Sequence, residues 1–294
     1  MKKQFLLMAV FFFLGICVCS CGTREQTVPQ DSAIFSFSEI DHDAIACSFY
    51  DAELVRAQLT GAELDERYQN IAGAVVPHYA PAMYMAADIL SAIDKIPEIV
   101  VVIAPNHTGK GNPVQICGNG YYWESGSVAG NTAFAKALSD ALQLDLDASA
   151  ARTDWSASLL MPYIAYFFPE ASVCTVMIAR GAGDAQVQSL AENLAELSET
   201  QDILVLGSAD FSHNQEEQAA RNCDLETARI LAEGDRTRLL SLGNEHLDSP
   251  ETVAVLLTYA ALLGRELVET DHLLETFFQD GQRIAGSYHA YVIT

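Results

Sequence analysis

The sequence predicts a single α/β domain whose mixed, largely parallel central sheet is covered by helices on both faces. The chain has 294 residues, of which 50% are apolar and 19% charged, and this composition suits one sizeable hydrophobic core. Residues 99–104 (IVVVIA) form a continuous β-branched run, which is typical of a strand buried on both faces. Such runs alternate along the chain with segments of helical periodicity, as expected for a sheet between two helical layers.

The first half of the domain is predicted as two strands, each followed by a helix. Residues 71–76 are apolar and bounded by Gly and Pro, which indicates a buried strand. Residues 82–95 have helical periodicity. The strand of residues 99–104 comes next, and residues 131–144 are predicted as the following helix.

The second half continues this alternation. Residues 202–207 (DILVLG) give another strong strand signal, residues 158–168 look helical despite Pro162, and Pro250 suits the start of a helix. The predicted helices are residues 158–168, 184–199, 215–233 and 250–263. The predicted strands are residues 172–179, 202–207, 273–279 and 288–293.

The charge balance excludes one large class of function. The chain carries 16 basic and 39 acidic residues, a formal net charge of −23. A nucleic-acid-binding protein needs a basic surface that releases counterions, so no nucleic-acid partner is expected. An anionic membrane surface is an equally poor partner for the folded domain, and no further long apolar run indicates a multi-span membrane protein.

The N-terminus has the features of a bacterial export signal. Lys2 and Lys3 precede an apolar run over residues 5–16, about the length of a signal-peptide core and too short to span a bilayer. Residues 18–21 (VCSC) resemble a lipobox, which makes Cys21 the expected lipidation site. The predicted organisation is a lipoprotein signal peptide (1–20), a polar tether (21–33) and the α/β domain (34–294). We therefore expect a lipoprotein on the extracytoplasmic side of a bacterial membrane, bound only through its lipid; a plain secretory signal is the alternative.

Four cysteines remain after the signal region. Their even number outside the cytosol permits disulfides, but their spacing is wide and irregular, and no CxxC motif is present. Buried free thiols are the expectation. These residues are Cys47, Cys117, Cys174 and Cys223.

Three histidines follow directly after predicted strands. His78 follows residues 71–76, His107 follows residues 99–104, and His213 follows residues 202–207. In open α/β sheets, binding sites form beyond the carboxyl ends of the strands. If these strands are parallel neighbours, the three imidazoles converge; a single histidine in a loop would more often be structural or merely exposed.

Such a cluster suits metal chemistry. Two imidazoles and one carboxylate form the facial triad typical of non-haem Fe(II), and Zn²⁺ could use the same ligands together with a water molecule. A histidine that is not a ligand could move protons, and Asp210, three residues before His213, could orient an imidazole or bind the metal. Residues 154–156 (DWS) could form a polar rim or simply begin a helix, with Asp154 as its N-cap. Little supports the hypothesis that Ser208 is a nucleophile, because no GxSxG motif is present.

Five short motifs resemble those of the MEMO-like proteins, whose bacterial and archaeal members are called AmmeMemoRadiSam system protein B. The family's AVAGxFYP, PHAGY, GPNHxG, SSDFSH and GYAA patterns are similar, in that order, to residues 44–50 (AIACSFY), 77–81 (PHYAP), 104–109 (APNHTG), 208–213 (SADFSH) and 286–290 (GSYHA). The resemblance covers the chain from about residue 44 to its end. It implies a fold related to the class III extradiol dioxygenases.

The resemblance also implies site residues. The family equivalents of His78 and His107 bind metal together with a later cysteine, and the equivalents of Asp210 and His213 line the same pocket. In the dioxygenases the third ligand is a carboxylate. Asp248 stands here at the position of the family cysteine, so His78, His107 and Asp248 are the predicted ligands. Glu245 or Glu251 could instead supply the oxygen, and Asp248 could be only a helix N-cap.

A second departure concerns the family's EHS-E-LP segment, which is similar to residues 154–162 (DWSASLLMP). Trp155 replaces the family's active-site histidine, and Ser158 replaces its second acid. The change indicates altered chemistry or a decaying site.

The expected function is that of a metal-dependent oxidoreductase acting on a small organic substrate. Fe(II) is the favoured metal, with Zn or Cu as alternatives. His213 would move the proton, and Asp210 would orient the His213 imidazole. The residues expected around the pocket are Tyr79, Asn106, Trp155 and Ser208. The alternatives are a non-catalytic lipoprotein that binds a metal or ligand at a partly degenerate site, and an interaction scaffold with a vestigial site. The substrate and the oligomeric state stay open.

Overall fold

A mixed β-sheet forms the centre of the fold and determines where the polar strand ends meet. A computed structural model describes residues 42–65, 68–279 and 281–294. The predicted signal peptide, the lipidation site Cys21 and the tether lie outside the described residues, so they stay predictions.

The described chain alternates strands and helices as expected. The strands are β1 (Ile45–Ala46), β2 (Gly73–Val76), β3 (Ile99–Pro105), β4 (Val114–Cys117), β5 (Tyr121–Trp123), β6 (Gly126–Gly130), β7 (Ser172–Ile178), β8 (Ile203–Ser208), β9 (His213–Gln215), β10 (Leu267–Gln279) and β11 (Gln282–Ile293). The helices are α1 (Ala52–Thr60), α2 (Tyr84–Ser91), α3 (Thr132–Ala141), α4 (Met161–Phe167), α5 (Asp184–Ser198), α6 (Glu217–Glu233), α7 (Arg236–Leu240) and α8 (Pro250–Leu262).

The sheet has the predicted mixed and largely parallel character. Its strand order is β1-β5-β6-β7-β3-β8-β2-β11-β10, with β4 beside β7 and β9 beside β11. Strands β6, β7, β3, β8 and β2 pair in parallel, whereas β11 pairs antiparallel with both β2 and β10. Parallel neighbours point the same way, so the carboxyl ends of β3, β8 and β2 lie side by side at one edge of the sheet.

Two apolar layers cover the sheet, one on each face. Along β3, Val100 and Val102 belong to one buried cluster, together with side chains of α1, α2 and α4. Ile99, Val101 and Ile103 belong to the other, together with side chains of α3, α5, α6 and α8. Successive strand residues point to opposite faces, so a strand buried on both sides must be continuously apolar. This confirms the prediction of helices on both faces.

Several elements differ from the sequence prediction. The closing hairpin is much longer than expected because β10 is an edge strand with a largely half-exposed, partly polar surface. Strands β1, β4, β5, β6 and β9 were not predicted because they have only two to five residues each. The unpredicted helix α1 is capped by Asp51, whose side chain accepts hydrogen bonds from two backbone N–H groups. Pro162 lies in the first turn of α4, where its missing N–H is not needed.

The four cysteines of the described domain match the expectation. Cys117 and Cys174 are buried, Cys47 and Cys223 are half-buried, and all four carry free thiols, as predicted. Within the described ranges, no helix combines the length and the apolar character that crossing a bilayer requires.

Candidate metal centre

Two of the three predicted histidines meet at the edge of the sheet. His78 and His107 each lie two residues beyond a strand, and β8 lies between those strands in the sheet. Their imidazole centroids are 5.3 Å apart, with the rings inclined at 79°. The convergence of His78 and His107 follows from parallel neighbouring strands, as the sequence predicted.

Asp248 completes the group from the segment that precedes α8. Its Oδ2 atom lies 2.9 Å from His78 Nε2 and 3.4 Å from His107 Nε2. The three potential ligand atoms all lie within 4.8 Å of one another. His78 and Asp248 are only 5% and 8% exposed, whereas His107 is exposed, so the group is shielded on the His78 and Asp248 side and reached by solvent at His107.

Asp248 is not the N-cap of the helix that follows it. That position belongs to Ser249, whose hydroxyl accepts a hydrogen bond from the N–H of Thr252. The alternative carboxylate Glu251 accepts the N–H of Gly181 at 2.5 Å. Of the acidic residues considered in this segment, Asp248 is the one that faces the imidazoles.

Backbone contacts hold Asp248 in place. Its N–H donates to the carbonyl of Asp210, and its Oδ1 accepts the N–H of Asp210, both at 3.1 Å. The Arg180 guanidinium donates to the carbonyls of Leu242, Leu247 and Asp248. The loop after β8 and the segment before α8 are therefore fixed to each other.

Hydrogen bonds to each Nδ1 atom assign the tautomers of the two histidines. The Ser208 hydroxyl donates its proton to the carbonyl of Ser156 at 2.8 Å, so it must accept from His78 Nδ1 at 3.1 Å. His107 Nδ1 donates to the Asp154 carboxylate at 3.0 Å. In its neutral form each imidazole then presents the lone pair of its Nε2 atom to Asp248, as metal-binding histidines do when their other ring nitrogen donates to a neighbouring acceptor.

Asp154 also belongs to the site. From the sequence, its role could have been either part of a polar rim or the N-cap of a helix. It is 3% exposed and also accepts the backbone N–H of His107 at 2.8 Å. The Ser156 hydroxyl donates to it at 2.7 Å. Asp154 therefore fixes both the backbone and the ring of His107. One signal was present in the sequence, because Asp154 stands where the resembling family segment has its first acid.

The residues fit a divalent cation. Asp248 Oδ2 is buried and has no hydrogen-bond partner. A buried polar atom without a partner costs about 1–3 kcal/mol, and more when it is charged. Two imidazole lone pairs and one carboxylate oxygen directed at one point form a donor set suited to Fe(II) or Zn²⁺. This His/His/Asp group could therefore bind a divalent metal.

The electrostatics of the site also favour positive charge. Burial disfavours a charged imidazole, but the hydrogen bond to Asp154 and the nearby Asp248 carboxylate outweigh it and raise the pKa of His107 to about 10. Burial opposes ionisation of Asp248, yet the two imidazoles hold the pKa of Asp248 below its usual range. Burial, together with the Asp248 carboxylate, raises the pKa of Asp210. The closely spaced carboxylates of Asp154, Asp210 and Asp248 thus require positive charge nearby. Either protons on the two imidazoles or a cation bound among these side chains can supply it.

Asp210 and His213 take different positions from those predicted. Asp210 Oδ1 accepts the backbone N–H of His78 at 2.9 Å, so Asp210 fixes His78 rather than His213. His213 has its Nδ1 atom 2.9 Å from the carbonyl of Phe211 and its Nε2 atom 3.3 Å from the side-chain amide of Asn244. His213 is therefore not one of the three grouped ligand residues.

Aromatic rings border the site. Trp155 stacks on His107 with centroids 5.0 Å apart and an angle of 6°, and Phe49 packs edge-on against Trp155 at 5.9 Å. Tyr79 stacks on Tyr288 at 4.3 Å. The sequence did not indicate Phe49 or Tyr288 as residues of the site. Each reaches it only by packing against an aromatic ring far away in the sequence, Phe49 on Trp155 and Tyr288 on Tyr79.

The other two predicted pocket residues have supporting positions. Ser208 holds the His78 ring through the bond described above. Asn106 donates to the carbonyl of Lys110 at 2.8 Å and accepts from the Thr108 hydroxyl at 2.8 Å. Asn106 therefore shapes the loop that carries His107.

Comparisons with known proteins identify a family. The family model described as Memo-like protein matches residues 42–278. A MEMO1 family protein of Pyrococcus furiosus is 27% identical over 267 residues, covering 79% of this chain and 91% of that protein. One of Pyrococcus horikoshii is 31% identical over 49% of this chain and 54% of its own length, and one of Thermotoga maritima is 29% identical over 67% and 73%.

A solved structure is also similar. The crystal structure of an uncharacterised protein from Escherichia coli K12 has a TM-score of 0.47 and 13% identity, covering 75% of this chain and 99% of that one. A likeness at this level supports no argument about function.

Proposed function

This chain belongs to the Memo-like protein family, and on that basis we propose that it is a membrane-anchored non-haem iron oxidoreductase acting on a small organic substrate. The observation that carries the proposal is the group of His78, His107 and Asp248, in which the buried Asp248 Oδ2 faces two Nε2 atoms without a hydrogen-bond partner. Two histidines and one carboxylate are the donor set typical of mononuclear Fe(II). Zn or Cu are the alternative metals.

The anchor is part of the proposal. The apolar run over residues 5–16 and Cys21 support a lipoprotein on the extracytoplasmic side of a bacterial membrane. The net charge of −23 supports contact with the membrane through the lipid alone and the absence of a nucleic-acid partner.

The chain's own residues have separate roles at this site. A bound Fe(II) ion supplies open coordination positions for substrate and oxygen. Ser208 and Asp154 keep the Nε2 lone pairs of His78 and His107 directed inward. Asp210 Oδ2 lies 3.6 Å from His78 Nε2, while Oδ1 is occupied by a backbone N–H, so Oδ2 is the atom that can hold a proton beside the site.

His213 and the aromatic rings complete the proposed mechanism. Donation from His213 Nδ1 to the Phe211 carbonyl leaves Nε2 as the acceptor, and Nε2 would take a proton from the substrate in place of its present contact with the Asn244 amide at 3.3 Å. The Trp155 ring covers one face of the His107 imidazole, and the Tyr79 ring, beside His78, stacks on Tyr288. The substrate binds between these rings and the ligand group.

One observation favours a second candidate, a non-catalytic protein that binds a metal or ligand at its surface. Trp155, at the position where the resembling family has an active-site histidine, lies flat on His107. An indole N–H does not exchange protons near neutral pH, so this position cannot serve acid–base catalysis. Binding would then persist without turnover.

Metal analysis followed by turnover separates these candidates. The full chain is purified anaerobically, and its metals are measured by mass spectrometry beside His78→Ala, His107→Ala and Asp248→Asn. His42→Ala is the matched control because the His42 side chain is fully exposed. We expect about one iron per chain in the wild type and the control, and loss of iron in the three site variants. Absence of metal after reconstitution with Fe(II), Zn(II) or Cu would refute the site.

Oxygen uptake by the iron-loaded chain is then measured against a panel of small organic compounds. Substrate-dependent uptake that disappears in His213→Gln, with iron retained, supports the oxidoreductase. Stoichiometric iron without uptake for any compound favours the binding protein.

A further inference from the structure

A second group of polar side chains lies between α6 and the β10–β11 hairpin. His272 and His289 are directly paired across the two strands, so their side chains share one face of the hairpin. Their rings stack with centroids 5.5 Å apart and an angle of 20°. Asp224 of α6 lies against the same face, and these three residues line an open cavity of about 270 Å³.

His289 is the centre of this group. Its side chain is only 7% exposed, and its Nδ1 atom lies 2.6 Å from Glu269 Oε1. The Nδ1–H group therefore donates to a carboxylate, as it does in many metal-binding histidines, where the ring nitrogen that does not bind the metal donates to an acidic side chain. The Nε2 atom is buried and has no hydrogen-bond partner.

Asp224 offers an oxygen to that nitrogen. Its Oδ1 atom accepts hydrogen bonds from the hydroxyls of Ser212 at 2.5 Å and Ser287 at 2.7 Å. Its Oδ2 atom is turned toward His289 Nε2 at 3.7 Å, too far for a hydrogen bond. Two metal–ligand bonds of about 2.0–2.2 Å to one ion span up to about 4.2 Å, so this gap suits a shared cation.

We propose that His289, Asp224 and His272 bind a second divalent cation of the kind that prefers nitrogen and carboxylate ligands, such as Zn²⁺. His289 Nε2 and Asp224 Oδ2 already lie at bridging distance. His272 is exposed, so its imidazole can turn from its stacked position to become the third ligand. The open cavity provides the entry path and room for a water molecule as the fourth ligand.

The cation would join three parts of the chain. Its ligands come from α6, β10 and β11, and Asp224 is bonded to Ser212 in the loop that also carries Asp210. Binding at this site therefore stabilises the folded chain and restrains the loop beside the first metal centre. The competing structure is a protonated His289 paired with Asp224 and Glu269, which would bind no metal.

Zinc stoichiometry of the full chain tests the proposal. Equilibrium dialysis against Zn²⁺ alone, followed by metal analysis, should give two ions per chain for the wild type and for the exposed control His42→Ala. His272→Ala should retain one ion and weaken binding of the second at least tenfold. The double variant H78A/H107A should also retain one ion, and adding His272→Ala to it should weaken binding of that ion at least tenfold.

Cobalt spectroscopy identifies the site directly. Co²⁺ added to H78A/H107A should give visible ligand-field absorption that is absent when His272→Ala or His289→Gln is added. His272→Ala removes an exposed side chain, so it decides the question even if His289→Gln fails to fold. One zinc per wild-type chain, lost in H78A/H107A, would overturn the proposal, as would a second zinc that neither His272→Ala nor His289→Gln weakens. Iron content at the first centre should be unchanged in His272→Ala, so failure here is distinguishable from failure of the first site.

Discussion

Replacing Ser208 by Ala should weaken metal binding without removing any ligand. The Ser208 hydroxyl is fully buried, accepts from His78 Nδ1 at 3.1 Å and donates to the carbonyl of Ser156 at 2.8 Å. Its loss leaves the Nδ1–H donor and the carbonyl acceptor without partners. Each unsatisfied buried group costs about 1–3 kcal/mol of folding free energy.

The same substitution releases the tautomer of His78. A ring protonated at Nε2 can donate to Asp248 Oδ2, which lies 2.9 Å away, and in that form it cannot bind metal. Loss of a group that holds a metal-binding histidine through its other ring nitrogen typically weakens metal binding 10- to 100-fold, or about 1.4–2.7 kcal/mol. We expect an effect of this size in Ser208→Ala.

Competition with a chromophoric chelator measures the metal affinity, and urea unfolding of the metal-free chain measures stability. Ser139→Ala is the matched control, because Ser139 is also a buried serine but donates to a helix carbonyl in α3, away from the ligand group. It should lose stability and keep its affinity for metal. A Ser208→Ala affinity within twofold of wild type would refute the tautomer argument.

The remaining predictions concern the ligands, their charge, the ring beside them and the anchor. Asp248→Asn should weaken metal binding more than 100-fold, measured by the same competition, because an amide oxygen lacks the carboxylate charge; unchanged affinity would exclude Asp248 as a ligand. In the metal-free chain, the raised pKa of His107, about 10, contributes stability that is complete below about pH 6.5 and lost as pH rises through about 10. The stability advantage of wild type over Asp154→Asn should therefore shrink over that range in urea titrations at increasing pH, and a constant difference would contradict it. Cu²⁺ should quench the fluorescence of Trp155, which stacks on His107 at 5.0 Å, so Trp155→Phe should remove most of the quenching. Finally, Cys21→Ser should move the protein from the membrane fraction to the soluble fraction of cells; retention on the membrane would argue against lipidation.

The sequence predicted the first metal centre in large part because its signals are local. A continuous apolar run identifies a buried strand, and a histidine two residues beyond the strand must lie at its carboxyl end. His78 and His107 needed only the assumption of parallel neighbouring strands, which the sheet order confirms. His213 was predicted to move protons rather than to bind the metal, and it lies outside the ligand group because the chain turns after β8 and pairs His213 with Gly286 of β11.

The role of Asp248 could not be decided from local sequence. An aspartate immediately before a helix serves equally well as an N-cap or as a ligand, because both roles use the same side chain at the same spacing. The structure decides between them by giving the cap to Ser249 and bringing Asp248 to two distant imidazoles. The alignment with the family's cysteine position singled out Asp248. The contacts of Asp248 with His78 and His107 then identify it as a candidate metal ligand.

The sequence by itself determined the α/β class, the strands that end in histidines and the donor types available for a metal. Only the tertiary structure decided which groups orient those donors. Asp154 is 47 residues from His107, and Ser208 is 130 residues from His78, yet each fixes the ring of its partner. The same holds for Asp224 and Ser287, which are 63 residues apart. Strand and helix preferences depend on neighbours along the chain, whereas the hydrogen bonds that orient the ligands depend on how separate elements pack against the sheet.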